Sequence, residues 1–258
     1  MITALLVSVN YSDYLEVALP YNTKQFDEII VLTIESDKEC QEVCSKHSNV
    51  KCLVFPDEIL KKNGKTFNKG ALLNKGFEYL NEINYSDWLV LTDADTVFPE
   101  NFKELLLSKE KDPNVLYGIN RKYCYNVNKF NAYINTKEPN LLLQMRGLPC
   151  MGFCQIFIYK ANKVSFVEDC DANNSDVLFL THFSKQFKTF MDSKINLGRP
   201  YVFAEFRQNI NNESNFINLS QTDFVIHLGE SRKNWKGRIT TSFKDKKTGY
   251  NSIHNKKG

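Results

Sequence analysis

Trp88-Leu89-Val90-Leu91-Thr92-Asp93-Ala94-Asp95-Thr96-Val97-Phe98-Pro99 decides how the rest of the chain is read. Its first four residues are apolar or aromatic, the pattern of a strand buried on both faces of a parallel sheet. The run then breaks into Asp-Ala-Asp. In extended backbone, residues two apart project to the same side, so both carboxylates can face one ligand. Pro99 stops the run, and a helix is expected from there to Leu107. In open α/β sheets ligands bind beyond the carboxyl ends of the strands, which is where the two acids fall. Hard oxygen ligands suit Mg²⁺ or Mn²⁺ holding a diphosphate. A solvated turn is also compatible with Asp-x-Asp alone, so the flanking segments carry the decision.

Upstream, Phe67-Asn68-Lys69-Gly70-Ala71-Leu72-Leu73-Asn74-Lys75-Gly76-Phe77 reads as a helix start, with Thr66 as a candidate cap and Leu72, Leu73, Phe77 and Leu80 on one face. Gly76 on that face predicts a close approach by another backbone. Lys69, in the first turn, would favour an anion there. Further back, Thr3 to Val9, Phe26 to Thr33 and Cys52 to Phe55 are apolar strands separated by helices. Pro20 is expected to close the first helix. Three such units within about fifty residues specify a parallel, doubly wound sheet. The loops at the strand ends, Val9-Asn10-Tyr11 and Ser36-Asp37, are candidate nucleotide contacts; Tyr11 could stack on a base, and Ser36 or Asp37 could cap the second helix. The first of these loops has no glycine, unlike a Gly-rich phosphate cradle. Cys40, Val43, Cys44 and His47 share a helical face and read as core rather than zinc ligands.

Downstream, residues 126–149 are poorly periodic and read as an insert bordering the site. Met151 to Tyr159 is a strand in which Gln155 interrupts an apolar run; a buried glutamine must satisfy backbone or meet a substrate. Gly152 and Gln155 are therefore placed on the acceptor side. Ser175 is expected to cap a helix with Asp176 at its first position, where the helix dipole favours a carboxylate and where a general base would be fixed in place. Phe224 to Gly229 is a late strand carrying His227, followed by Arg232, Lys233, Lys236 and Arg238, a candidate diphosphate clamp.

Composition bounds the class. The 258 residues, 42% hydrophobic and 13% aromatic, suffice for one large α/β domain, and a net charge of +3 permits an anionic ligand. No run reaches the ~18 apolar residues of a membrane span, and the apolar start lacks the basic flank of a signal peptide. Seven scattered cysteines favour free thiols in a reducing, cytoplasmic setting. We expect one catalytic domain over 1–243, with a nucleotide-binding half (1–98), an acceptor-side half (99–243) and a basic, mobile tail (244–258).

Taken together, these segments resemble glycosyltransferases of the GT-A fold. The Phe67–Phe77 segment is similar to the Phe-Asn-Arg-Ala-x-Leu-Leu-Asn-x-Gly-Phe helix start of the β-1,4-galactosyltransferase group and related family 2-like enzymes, with Lys69 in the arginine position. His227-Leu228-Gly229 followed by Lys233 and Trp235 is similar to the His-Gly-Lys-Trp signature of other members, with different spacing. The resemblance implies a GT-A, Rossmann-like fold with a mostly parallel central sheet flanked by helices. It implies a nucleotide-diphosphate sugar donor, with UDP expected. It also implies Mn²⁺ or Mg²⁺ on Asp95 and His227, Asp93 touching ribose, sugar or a metal-bound water, and Lys233 on the diphosphate, where the basic residues Lys69 and Arg238 are further candidates. Asp176 matches the second acid of the Glu-Asp pair that supplies the base in inverting members, with Glu168, Asp169 and Asp171 as competitors. The acceptor is open among glycan, protein and modified DNA. Two alternatives stand beside transfer: a sugar-1-phosphate nucleotidyltransferase and a non-catalytic sugar-nucleotide or glycan-binding module.

Overall fold

Apolar runs at the expected places become strands. A computed structural model describes residues 1–65, 67–144, 150, 153–168, 172–185, 188–189, 192 and 215–229. Its first half alternates strand and helix: β1 (Ile2–Val7), α1 (Ser12–Asn22), β2 (Glu28–Ile34), α2 (Lys38–Ser45), β3 (Val50–Phe55), α3 (Lys69–Glu82) and β4 (Trp88–Asp93). There follow β5 (Thr96–Val97), α4 (Phe102–Leu107), β6 (Leu116–Gly118), β7 (Asn120–Cys124), α5 (Val127–Thr136), β8 (Leu143–Gln144), β9 (Cys154–Ile158), α6 (Ala172–Phe179), β10 (Phe216–Asn218) and β11 (Phe224–Leu228).

The described strands form a seven-stranded sheet in the order β10-β6-β9-β4-β1-β2-β3 and a second, four-stranded sheet in the order β5-β11-β7-β8. In the first, β4, β1, β2 and β3 run parallel to one another, and β9 enters antiparallel between β4 and β6. Side-chain alternation explains why the central strands are apolar throughout. Leu5, Leu32, Leu89 and Leu91 face a core with Leu72, Phe77 and Phe157, whereas Ala4, Leu6, Ile29, Val31, Trp88 and Val90 face another with Leu15, Leu19, Cys40 and Cys44. Both faces are covered, as the continuous runs required. The six described cysteines are free, and Cys40 and Cys44 are core residues. No described helix is long and apolar enough to cross a membrane.

Several local expectations are corrected. Helix α1 continues through Pro20 to Asn22. Asn68 caps α3, its Oδ1 accepting from the Ala71 N–H at 2.9 Å; Thr66 lies outside the described residues. The close backbone approach occurs at Gly70, where an added Cβ would sit 2.7 Å from the Val167 carbonyl oxygen, while Gly76 faces the Leu5 side chain, 2.8 Å from such a Cβ. Pro99 opens a turn closed by the Phe102 N–H on its carbonyl, so α4 starts at Phe102. The region read as an irregular insert holds α5, capped by Asn126, and β8. Helix α6 begins at Ala172, which puts Asp176 in the second turn instead of at the first position and beyond the strongest reach of the helix dipole.

A candidate metal and donor site at the end of the central strand

Asp93 is the last residue of β4, and the chain turns through Ala94 and Asp95 into the two-residue β5. That short strand is fixed from behind by Asn22, at the end of α1. Asn22 Nδ2 donates to the Thr96 carbonyl at 2.8 Å, and its Oδ1 accepts from the Phe98 N–H at 3.0 Å. β11 then pairs antiparallel with β5, placing His227 opposite Thr96, and the Leu228 N–H donates to the Asp95 carbonyl at 2.7 Å. This pairing converts a distant histidine into a neighbour of the Asp-x-Asp turn. Ligand atoms of Asp93, Asp95 and His227 lie within 4.8 Å of one another.

The residues present fit a divalent cation. Asp95 and His227 are buried, and Asp95 Oδ1 and His227 Nδ1 have no hydrogen-bond partner among the described residues. Orphaned buried acceptors of this kind are costly unless a ligand satisfies them. Burial, and then the adjacent Asp93 charge, pushes the Asp95 carboxyl well above the usual carboxylate range. Burial also pulls the His227 imidazole down to about 3, and the Arg121 cation acts in the same direction. A neutral imidazole beside a penalised carboxylate is the donor set that a bound cation would relieve.

Lys69, expected near the diphosphate, is engaged by two of the protein's own carboxylates. Its Nζ donates to Asp93 Oδ1 at 2.8 Å and to Asp176 Oδ1 at 3.3 Å, joining the Asp-x-Asp turn to α6. Burial alone would lower the lysine value, but Asp176 and Asp93 outweigh it and the ammonium lies above the ordinary lysine range. Asp176 responds in turn: burial raises its carboxyl, Lys69 draws it back, and the net value lies above the usual range. Gln155 is fully buried, and its Nε2 donates to the Asp176 carbonyl at 2.9 Å and the Cys150 carbonyl at 3.4 Å. Its Nε2 thus satisfies backbone and anchors the helix that carries Asp176, while its buried Oε1 has no hydrogen-bond partner among the described residues.

The remaining expected residues divide cleanly. Asp37 is buried and accepts from the Asn10 N–H at 2.6 Å and the Cys40 N–H at 3.2 Å, so it caps α2 and ties down the β1 loop. Val9 is in the core, Asn10 and Ser36 are exposed, and Tyr11 packs on Tyr14 with ring centroids 5.2 Å apart. The Glu168 carboxylate is held by Lys62 and Asn74. Gly152, Asp169, Asp171, Lys233 and Arg238 lie outside the described residues, as do Arg232, Lys236 and the 244–258 tail. Sequence reading missed Asn22 and Arg121. A polar residue next to a helix end gives no sign of what it will pin. Arg121 sits in a strand whose pattern, Asn120-Arg121-Lys122-Tyr123, looks solvated.

Comparison with known proteins identifies the family. The family model described as glycosyl transferase family 2 matches residues 3–168. Among solved structures, the chain is similar to the galactosyltransferase LgtC, 13% identical with a TM-score of 0.38 over 61% of this chain and 58% of that one. It is also similar to 4-diphosphocytidyl-2C-methyl-D-erythritol synthase from Anaerococcus prevotii DSM 20548, 10% identical with a TM-score of 0.41 over 93% of both chains. HddC from Yersinia pseudotuberculosis is 9% identical with a TM-score of 0.36 over 61% of this chain and 77% of that one. The chain thus spans 58% of the galactosyltransferase's length. No curated protein matches it by sequence. With its mostly parallel α/β sheet and a family match over most of its length, the chain belongs to glycosyl transferase family 2 and has the GT-A type of fold.

Proposed function

We propose that the protein transfers a sugar from a nucleotide-diphosphate sugar, with UDP as the nucleotide, to an acceptor hydroxyl with inversion at the anomeric carbon. The observation that carries this reading is the joining of two groups by one side chain. Asp93, Asp95 and His227 form a set that could hold Mn²⁺ or Mg²⁺, and Lys69 ties that set to a half-buried carboxylate on a separate helix. Leaving-group stabilisation and acceptor activation need groups of these two kinds side by side.

Asp95 and His227 would hold the cation, and Asp93, already bonded to Lys69, would orient donor ribose, sugar or a cation-bound water. When bound, the cation supplies Lewis-acid stabilisation of charge on the departing diphosphate. Asp176 would take the acceptor proton. Its Oδ1 accepts from Lys69, which assigns the proton to Oδ2, and its raised value makes the carboxylate a stronger base than a solvated aspartate. Residues 1–98 would carry the donor and 99–243 the acceptor, with Lys233 and Arg238 on the diphosphate and Gly152 near the acceptor. Glycan, protein and modified DNA remain the acceptor classes to be screened.

The test is a panel of UDP-sugars with Mn²⁺, run as donor hydrolysis and as calorimetric donor binding on wild type and Asp176→Asn. We expect metal-dependent donor binding in both proteins and turnover lowered by about 10²–10⁴-fold in Asp176→Asn. Neither hydrolysis nor metal-dependent binding in wild type would sink the proposal. Binding without any effect of Asp176→Asn on turnover would remove Asp176 as the base.

A further inference from the structure

The second sheet has a cavity on the face turned away from His227. Along β11, Phe224, Ile226 and Leu228 alternate with Val225 and His227, and Val97 of β5 pairs with Ile226. Val97, Phe224 and Ile226 therefore lie behind the strand pair that carries the metal ligands. With Tyr21 of α1 and with Tyr133 and Ile134 of α5, they wall a cavity of about 370 Å³. That volume falls within the range of small-molecule sites. Tyr21, Tyr133 and Phe224 are each half-buried, and the Tyr133 and Phe224 ring centroids are 6.3 Å apart with the planes at 53°. Ring surface is thus left open to the cavity.

Polar groups edge these rings. Lys137, just beyond α5, donates to Glu100 Oε1 at 3.0 Å, and Asn101 Nδ2 donates to Asp223 Oδ1 at 3.2 Å. All four residues line the cavity. Their charges select the ligand. Two carboxylates against one ammonium disfavour an anion. A cation is disfavoured as well, because the rings already have the protein's own ammonium groups beside them. Lys122 Nζ lies 3.9 Å from the Phe224 centroid and Lys137 Nζ 5.8 Å from that of Tyr133. The wall suits a neutral molecule with an apolar face for the rings and a hydroxyl edge for the carboxylates, amide and ammonium. A pyranose ring has both. It would lie across the strands from the Asp-x-Asp turn, so it is not the sugar that reacts.

We propose that this cavity is a second carbohydrate site, which holds one uncharged sugar ring of a saccharide apart from the reaction centre. The site goes beyond the transfer reaction proposed above and does not depend on it. Its experiment titrates the whole protein, isotope-labelled at isoleucine methyl groups, with methyl β-D-glucopyranoside and with methyl β-D-galactopyranoside. Glucuronate, glucosamine in the same mildly acidic buffer and cyclohexanol are the anionic, cationic and apolar controls. The expected result is a saturable NMR shift of the Ile134 and Ile226 methyl groups with at least one neutral glycoside, and weaker binding of all three controls. Tyr133→Ala should weaken that glycoside by about 10-fold through loss of a ring face. Ile134→Trp, which fills the cavity, should abolish its binding, read by calorimetry in both variants. Thermal melts establish that the variants are folded.

If neither glycoside moves these methyl groups up to its solubility, the proposal is overturned. Equal or tighter binding of a charged control also overturns it, because the charges of the wall would then select nothing. So does equal or tighter binding of cyclohexanol, which would make the cavity a plain apolar one. Glycoside affinity left intact in Tyr133→Ala and Ile134→Trp would put the sugar elsewhere and refute the site. The two substitutions change the cavity in opposite directions, so if one variant fails to fold the other decides. None of these results bears on donor hydrolysis or metal-dependent donor binding, so the two proposals fail separately.

Discussion

The buried imidazole of His227 should make the metal-free protein sensitive to acid, by an amount that can be worked out. In the folded chain its value is about 3, and in the unfolded chain about 6.5. Between those limits the unfolded state binds more protons, so stability rises with pH. The contribution is fully present above about pH 6.5 and is lost as the pH falls toward the folded value. At roughly 1.4 kcal/mol per unit, the loss is on the order of 1 kcal/mol at about pH 5.5 and on the order of 3 kcal/mol at about pH 4.5. Asp95 and Asp176, whose values are raised, act in the opposite sense, gaining relative stability as the pH drops. They are present in both wild type and His227→Gln, so the difference between the two proteins reports the imidazole together with its contact to Asp95 Oδ1, 3.5 Å from His227 Nε2. The assay is urea unfolding with chelator at several pH values across that interval. Wild type should lose stability relative to His227→Gln by the amounts given. A flat difference would refute the account of His227 as a buried neutral imidazole held ready for a cation. Added Mn²⁺ at neutral pH should stabilise wild type by about 2.7 kcal/mol at a hundredfold excess over Kd, and His227→Gln by less.

Three further outcomes test the scaffold. Lys69→Met leaves Asp93 and Asp176 facing one another without their shared ammonium, and should cost about 3 kcal/mol in urea unfolding near neutral pH, with the deficit shrinking in acid as the carboxylates protonate. Asn22→Ala removes both bonds that hold β5 and should cost about 2 kcal/mol, with Mn²⁺ affinity falling alongside because Asp95 and the partner of His227 lose their anchor. Gly229→Ala forces a side chain onto a residue at φ +81°, against the Tyr14 ring, and should destabilise by about 1–3 kcal/mol in thermal unfolding; an unchanged melting temperature would show that Tyr14 moves aside.

The parts legible in the sequence were those written as local pattern. The strands from β1 to β4 announce themselves because a doubly covered sheet needs unbroken apolar runs, and the Asp-x-Asp turn follows from where the last run stops. His227 was legible as a histidine in an apolar strand. Its meeting with Asp95 came from the resemblance and not from local pattern, because the pairing depends on β5, two residues with no periodicity to detect. Lys69 shows the limit of position-based reasoning. A cation in the first turn of a helix suggests an anionic ligand, yet here the anions are the protein's own Asp93 and Asp176, brought together by β4 and α6. Arg121 was hidden for a related reason. A polar strand reads as solvated until tertiary packing sets Phe153 and Tyr123 against the guanidinium.

The pairing of β11 with β5 also has a bearing on time. The residues that build the parallel strands β1 to β4 are all made before residue 100, and the N-terminal part of a chain can begin to fold as it is synthesised. His227 arrives more than a hundred residues after Asp95, across a loop whose closure carries the entropy of a long-range contact. Until that closure, Asp93 and Asp95 form a turn with two ligands and no imidazole. Acquisition of Mn²⁺ during refolding should therefore mark the last stage of assembly, appearing after the central sheet is protected from exchange and in step with burial of β11.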